Sequence, residues 1–328
     1  MVFGDALTKA GRLLELQRLF AKRPERSFST AEIARFLGIA ERTVRQYLSE
    51  LSASGRLPVI LDGRRWRLAP DARIEVPPIR FMLEEASAVY LAARLLCRHS
   101  DEPNPAVREA IAKLASVVPA DLAAVMEELV RSVPGDTGPF SGVFRAVAYG
   151  WALRREIDVE YHALGWDGPR RCRFRPYLIE PSVHGYSLYA IGHADPPGGL
   201  RIFKLERMRE AALLDTRFEP PPVADLFARI SQSWDVWFTD GDAIEVRMRF
   251  DPRVARRVTE ARWHSSQRVT ELPGGGVELR LAVSSTVELL PWILGWGDAC
   301  EVLEPADLRD AVAAELARAS ARYTPRHG

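Results

Sequence analysis

Arginine, glutamine and serine spaced three and four apart along a helix can read the edges of base pairs in DNA. Arg42, Arg45, Gln46 and Ser49 fall on one face of a stretch that opens near Glu41, because residues three and four apart share a helix face. Val44, Tyr47, Leu48 and Leu51 take the opposite face, and Thr43 lies beside the polar one. Arginine can fork onto guanine, glutamine can pair with adenine, and a threonine suits a phosphate or a thymine methyl. Arg64 and Arg65 follow in a second basic stretch, suited to grip phosphate or to enter a minor groove.

Catalytic chemistry has no comparable pattern. The histidines (His99, His162, His184, His193, His264 and His327) form no HExxH or paired metal-ligand spacing. No GxxxxGK[ST] loop occurs, and Gly274 to Gly276 read as a hairpin turn rather than a phosphate cradle. His264 and Ser265 are neighbours in sequence, which does not make a nucleophile and its base. The expectation is a binding protein rather than an enzyme, with no catalytic residue, cofactor or metal. A hydrolase is the minor alternative.

The elements that must position the polar face are legible around it. Leu7, Leu14, Leu16, Leu19 and Phe20 recur at helical spacing over residues 5–22, and Pro24 ends that helix. Ser29 or Thr30 caps a short helix burying Ile33 and Leu37, and Gly38 supplies the left-handed turn that stops it. Helix, glycine turn and helix make a helix-turn-helix. Residues 57–61, the turn Asp62-Gly63 and residues 64–68 then read as a β-hairpin, the wing of a winged helix. The stretch from Ala40 to Leu51 resembles the S-x-R-T-V-x-R-D-L-x-x-L recognition helix of DeoR-like regulators, with Ala40 at the capping serine and Gln46-Tyr47 at the Arg-Asp pair.

Charge agrees with that placement. The net charge of the 328 residues is +1, yet residues 1–70 hold 13 Lys/Arg against 7 Asp/Glu, a basic end that suits a polyanion. A hydrophobic content of 47% supports cores rather than disorder, and the length predicts two to four domains. Cys97, Cys172 and Cys300 form no CxxC pair, which fits a reducing compartment. With no signal-peptide core at the start and no apolar run of membrane-spanning length, a cytoplasmic protein without membrane contact is expected.

Residues 70–80 read as a proline-rich linker, followed by helices over 83–98, 105–117, Pro119 to Val133 and 141–155, a spacer in which no chemistry stands out. At Ile157 the period changes to two, which marks strands. Arg171, Arg173 and Arg175 share one strand face, where they can follow a phosphate backbone or stand ion-paired in solvent. Another strand runs from Gly185 to Gly192. In the next, Arg201, Phe203, Leu205 and Arg207 share a parity.

This region resembles the WYL-domain transcription regulators. The matching elements are Pro176 to Leu178, Leu188 to Ile191 with Gly192, Arg201-x-Phe203-x-Leu205-x-Arg207-Met208, and Phe218. Only Tyr189 of the Trp-Tyr-Leu motif is retained, and Cys172 stands where an arginine is usual. The resemblance implies a small Sm-like β-barrel whose basic pocket binds a nucleic-acid or nucleotide effector through Tyr189, Arg201 and Arg207. Strand parity adds Ser187 and His193 on the side of Tyr189. Tyr189 offers a base a stacking surface.

Beyond a linker at Glu219 to Pro222, a strand at 244–250, a helix opened by Asp251 and Pro252, strands at 263–272 and 277–283, a helix at 287–294, a strand at 300–303 and a helix at 306–321 follow a ferredoxin-like order. Residues 263–267, 288–297 and 301–305 resemble the C-terminal extension of WYL regulators, which implies dimerisation. The expected chain is therefore an α+β multidomain protein. It has a winged helix-turn-helix at 1–69, a helical spacer at 80–153, a WYL effector-sensing domain at 154–218 and a C-terminal extension at 223–322. The expected function is that of a homodimeric transcription regulator on a double-stranded DNA operator, controlled by a nucleic-acid effector, with single-stranded DNA favoured. A regulator sensing a small nucleotide, or a structural nucleic-acid binder without control, are the alternatives.

Overall fold

The computed structural model describes residues 8–69, 75–98, 100–133, 135, 138–182, 187–239 and 241–323. Leu7, most of the 70–80 linker's first half, His99, His184, His327, part of the 134–139 break and the 185–186 strand start lie outside the described residues. The chain divides into two compact units, residues 1–88 and 89–328.

In the first unit, α1 (Lys9–Lys22) starts at Thr8, whose hydroxyl accepts from the Gly11 N–H at 3.2 Å. The two-residue strand β1 (Phe28–Ser29) leads into α2 (Thr30–Leu37), and Ser29 is its cap. Ser29 Oγ accepts from the Glu32 N–H at 3.1 Å while Glu32 Oε2 accepts from the Ser29 N–H at 2.6 Å, a capping box that satisfies two otherwise orphaned donors. α2 ends at Gly38, and α3 (Glu41–Ala53) opens at Ala40 with no side-chain cap. Strands β2 (Val59–Asp62) and β3 (Arg65–Leu68) form the wing, with β1 on the far side of β3. The three helices enclose Leu16, Phe20, Ile33, Val44, Leu48 and Leu51. The hairpin turn lies one residue later than the sequence reading placed it. Asp62 pairs with Arg65, so Gly63 and Arg64 make the turn. Gly63 has φ +62°, and glycine at the first central position is what a tight hairpin turn of this hand requires.

The helix α4 (Leu83–Arg98) runs across the boundary at residue 88, and in the second unit its later turns, α5 (Pro105–Ala115) and α6 (Ala120–Ser132) close on Tyr90, Ile111 and Met126. Next, α7 (Pro139–Leu153) packs on an antiparallel sheet of β4 (Arg155–Tyr161), β5 (Arg170–Ser182), β6 (Ser187–Asp195), β7 (Leu200–Lys204) and β8 (Met208–Arg217). The strand order is β7-β6-β5-β4-β8. Inward residues include Val147, Ile157, Phe174, Ala190, Phe203 and Leu205. At the bulge in β5, a Cβ on Gly192 would lie 2.0 Å from the Arg175 carbonyl oxygen, so only glycine lets β6 cross there. The strand expected over 201–207 stops at Lys204, and Leu205–Arg207 form a 3-10 turn. The turn breaks the shared parity of Arg201 and Arg207, because alternation holds only while the backbone stays extended.

The chain continues through α8 (Val223–Ile230), an element that sequence periodicity did not suggest, to β9 (Ile244–Phe250) and α9 (Pro252–Glu260). After these come β10 (Arg268–Glu271), β11 (Val277–Val283), α10 (Leu289–Leu294), β12 (Cys300–Glu304) and α11 (Ala306–Tyr323). The second sheet has the order β10-β11-β9-β12, antiparallel throughout. The strand expected from Trp263 begins only at Arg268. Gln267 Oε1 accepts from the Trp263 and His264 N–H groups at 2.6 and 3.1 Å, which folds 263–267 into a turn. Among the described residues no helix is long and apolar enough to cross a membrane.

Candidate nucleic-acid interfaces

On α3, Arg42, Arg45, Gln46 and Ser49 are exposed and Thr43 is half-buried, because Val44, Tyr47, Leu48 and Leu51 anchor the opposite face in the core. Arg45 Nη2 donates to Glu41 one turn earlier, at 3.2 Å. Arg42 has no partner among the described residues, and Arg64 is exposed in the wing turn. Arg65 points elsewhere. Its Nε donates to Ser27 Oγ at 2.9 Å, and its Nη2 donates to the Ser27 carbonyl at 2.7 Å and to Glu32 at 2.9 Å. Arg65 thus ties the wing to the capping box of α2. Trp66 Nε1 adds a second tie, donating to Thr30 Oγ1 at 3.2 Å. The Ser29 N–H holds the Glu32 carboxyl below its usual range, with Arg65 and Arg26 adding to it. Arg67 is spent across the hairpin on Asp62, at 2.8 Å.

On the five-stranded sheet, the expected effector residues fall into separate places. Tyr189 on β6 is half-buried and sits across from Lys204 on β7. Burial pushes its hydroxyl pKa up, against the opposing pull of Arg207. Near it, Ser187 Oγ donates to Asp101 Oδ2 at 3.2 Å, and Lys204 Nζ meets the same oxygen at 2.5 Å. The Lys204 bond holds the Asp101 carboxyl below its usual range, with Arg207 contributing. Glu206 Oε1 accepts from the Leu188 N–H at 3.3 Å. Burial raises the Glu206 pKa, and its Oε2 has no hydrogen-bond partner among the described residues. Ser187, Tyr189 and Arg207 therefore stand together with Lys204, Glu206 and Asp101, which sequence reasoning missed. Lys204 was discoverable as a cation between two matched arginines. Asp101, 103 positions away from Lys204, carried no signal.

Arg201 lies opposite Gly192, three residues along β6 from Tyr189. His193 Nε2 accepts from the Gly199 N–H at 3.1 Å and so fixes the β6–β7 turn. The arginine stripe is largely neutralised. Arg171 pairs with Asp158 and Glu210, both at 2.9 Å, and Arg175 pairs with the buried Glu156 at 2.7 Å. Arg173 alone of the three has no ion pair among the described residues.

The histidine and serine of types suited to catalysis, His264 and Ser265, have structural partners. His264 Nε2 lies 3.1 Å from the Ser233 carbonyl, and Ser265 Oγ donates to the Ser231 carbonyl at 2.9 Å. Burial lowers the His264 pKa and raises the thiols of Cys172 and Cys300, to about 11 and about 12. Among the described residues no group of His, Cys, Asp or Glu could hold a metal ion. Glu288 accepts from the N–H groups of Asp235, Val236 and Trp237 at 3.0 to 3.2 Å, and Ser182 donates to Asp235. The Ser182 bond fastens the end of β5 to the segment after α8, and Glu288 holds that segment to the start of α10.

Comparison with known families assigns this architecture. The WYL domain matches residues 142–213, from α7 into β8, and the WCX domain matches residues 242–320, the second sheet and its helices. Behind the winged helix, the chain therefore carries a WYL domain followed by a WCX domain.

Three solved structures are similar at low overall superposition. Proteasome accessory factor B/C (PafBC) of Arthrobacter aurescens is 18% identical, with a TM-score of 0.34, over 99% of this chain and 56% of that one. The chain thus spans little more than half the length of PafBC. A CRISPR Cas-related protein is 11% identical, with a TM-score of 0.36, over 99% and 89% of the two chains. IdeR of T. acidophilum is 13% identical, with a TM-score of 0.19, over 64% and 99%.

Proposed function

We propose that this protein is a sequence-specific DNA-binding transcription regulator whose operator affinity is set by a nucleic-acid effector, single-stranded DNA in first place, bound at the WYL domain. The observation that carries the DNA-binding half is the exposed face of α3. Among the described residues Arg42, Gln46 and Ser49 are unengaged there, and Arg64 is unengaged in the wing. The division of labour follows the expected one: residues 1–69 bind DNA, 80–153 form the spacer, 154–218 sense the effector and 223–322 hold a homodimer together. The strand order of the first sheet supports an Sm-like barrel, and the order β10-β11-β9-β12 supports a ferredoxin-like extension. A cytoplasmic, non-enzymatic role fits the same reading.

The effector face is Ser187, Tyr189, Lys204 and Arg207, an aromatic ring beside cations that suits a stacked base and its phosphate. Asp101 already places a carboxylate on Lys204 and Ser187. An effector phosphate takes its place and frees the loop after α4. That release is the signal.

The test is fluorescence anisotropy on operator candidates selected from random duplexes, at fixed salt because phosphate contacts make affinity salt-dependent. The expected result is one duplex preferred over scrambled DNA by at least about a thousandfold, with a shift in that preference on adding single strands. Equal binding to all duplexes would leave a structural nucleic-acid binder. A response to nucleotides but not to strands would make it a small-nucleotide sensor. Light scattering that gives a monomer at micromolar concentration removes the dimer.

A further inference from the structure

The loop between β4 and β5 and the turn between β6 and β7 enclose a cavity of about 220 Å³ that the effector face does not use. Its inner wall is Tyr161 stacked on Phe203, with ring centroids 4.2 Å apart, and both rings are buried. Trp166 stands edge-on to Tyr161 at 6.0 Å and is half-exposed. The Arg170 guanidinium lies 4.4 Å from the Trp166 ring centroid. Arg201 lines the opposite lip, where its only hydrogen bond among the described residues is to the Leu200 carbonyl at 2.8 Å. Arg171 also lines the cavity, but Asp158 and Glu210 neutralise it. Among the described residues, the charge at the lip without an ion pair is therefore that of Arg170 and Arg201.

We propose that this cavity is a second binding site, for one nucleobase carrying a phosphate. Drug-sized sites measure about 300–1,000 Å³. A cavity of this size admits a single ring system and leaves its phosphate outside. Aromatic walls accept any base face, and guanidinium forks match phosphate oxygens. The base takes the Trp166 face that Arg170 now covers, and Arg170 moves with Arg201 onto the phosphate. Free mononucleotide and the 5′-phosphorylated end of a single strand present the same chemistry. The inference rests on the nucleic-acid effector proposed above and assigns the position of one of its nucleotides.

Calorimetric titration of the full chain with dAMP, deoxyadenosine, and a thymidylate decamer with and without a 5′-phosphate tests it. The expected result is that a 5′-phosphate tightens binding about tenfold, either in dAMP against deoxyadenosine or in the decamer. Trp166→Ala should weaken binding of that probe about tenfold, with recovery in Trp166→Phe, and Arg170→Ala/Arg201→Ala should erase the phosphate preference. Preference only in dAMP assigns a free nucleotide, and preference in the decamer assigns a strand end. Matched thermal melts confirm that each variant is folded. Wild-type binding by folded Trp166→Ala, or no phosphate preference in either pair, overturns the proposal. If the decamer then still binds and loses affinity in Arg207→Ala, the effector face stands without the cavity. If no probe binds at all, both readings fall.

Discussion

Replacing Asp101 by asparagine should make the protein bind its effector more tightly. Asp101 and Lys204 meet at 2.5 Å, with side chains 48% and 14% exposed. Half-exposed ion pairs are screened by solvent, so this one contributes about 1 kcal/mol, the upper end of the range for surface pairs. An effector phosphate that displaces Asp101 must first forfeit that pair. Asparagine removes the competing charge yet keeps an oxygen for the Ser187 hydroxyl, which donates at 3.2 Å. Effector affinity should therefore rise about fivefold, while the melting temperature falls by about 2–4 °C for a unit of this size. The assay is anisotropy of a labelled single-stranded decamer on wild type and Asp101→Asn, with scanning calorimetry beside it. The Asp101 carboxyl is held below its usual range by the Lys204 bond. Its stabilising pair is thus complete above the unfolded pKa and is lost only as pH falls through the lower folded value. The difference between the two proteins should stay flat from about pH 6 to 8. Equal or weaker decamer binding by Asp101→Asn would refute the displacement argument.

Arg42→Ala should cost operator affinity about 1–3 kcal/mol if the guanidinium forks onto a base, read as the loss of preference over scrambled duplex. Arg45→Ala should cost less, because Arg45 must first leave Glu41. Arg64→Ala should reduce the salt slope of DNA binding by about one phosphate contact. Arg65→Ala should leave that slope unchanged and instead lower stability by about 1 kcal/mol, because its donors hold Ser27 and Glu32. The Glu206 carboxyl is raised by burial, so the folded state holds its proton longer, and stability falls as pH rises from the unfolded pKa through the folded one. Glu206→Gln should therefore raise the melting temperature at pH 7 and lose that advantage below the ordinary carboxylate range; no gain at pH 7 counts against the argument.

Local chemistry made much of this protein legible from its residues. The cap at Ser29, the stop at Gly38, the period of 3.6 through Val44 to Leu51 and the alternation after Ile157 all act between near neighbours. The same holds for the polar face of α3, which follows once Leu48 and its companions are committed to a core. The order of winged helix, WYL domain and C-terminal extension was readable for that reason. The partners of the charged side chains were not. Arg65 reads as one more wing arginine until β3 lies beside Ser27 and Glu32, 38 and 33 positions earlier. Arg171 reads as part of a phosphate track until β8 brings Glu210 beside it. Strand parity joined Arg201 to Arg207, and one 3-10 turn at Leu205 separated them. Asp101 reaches Lys204 only because the loop after α4 is brought to β7. Secondary structure is decided by contacts a few residues long, whereas a charge is compensated by whatever the tertiary fold brings within about 4 Å of it, and that alone determined which cations remain for a nucleic acid.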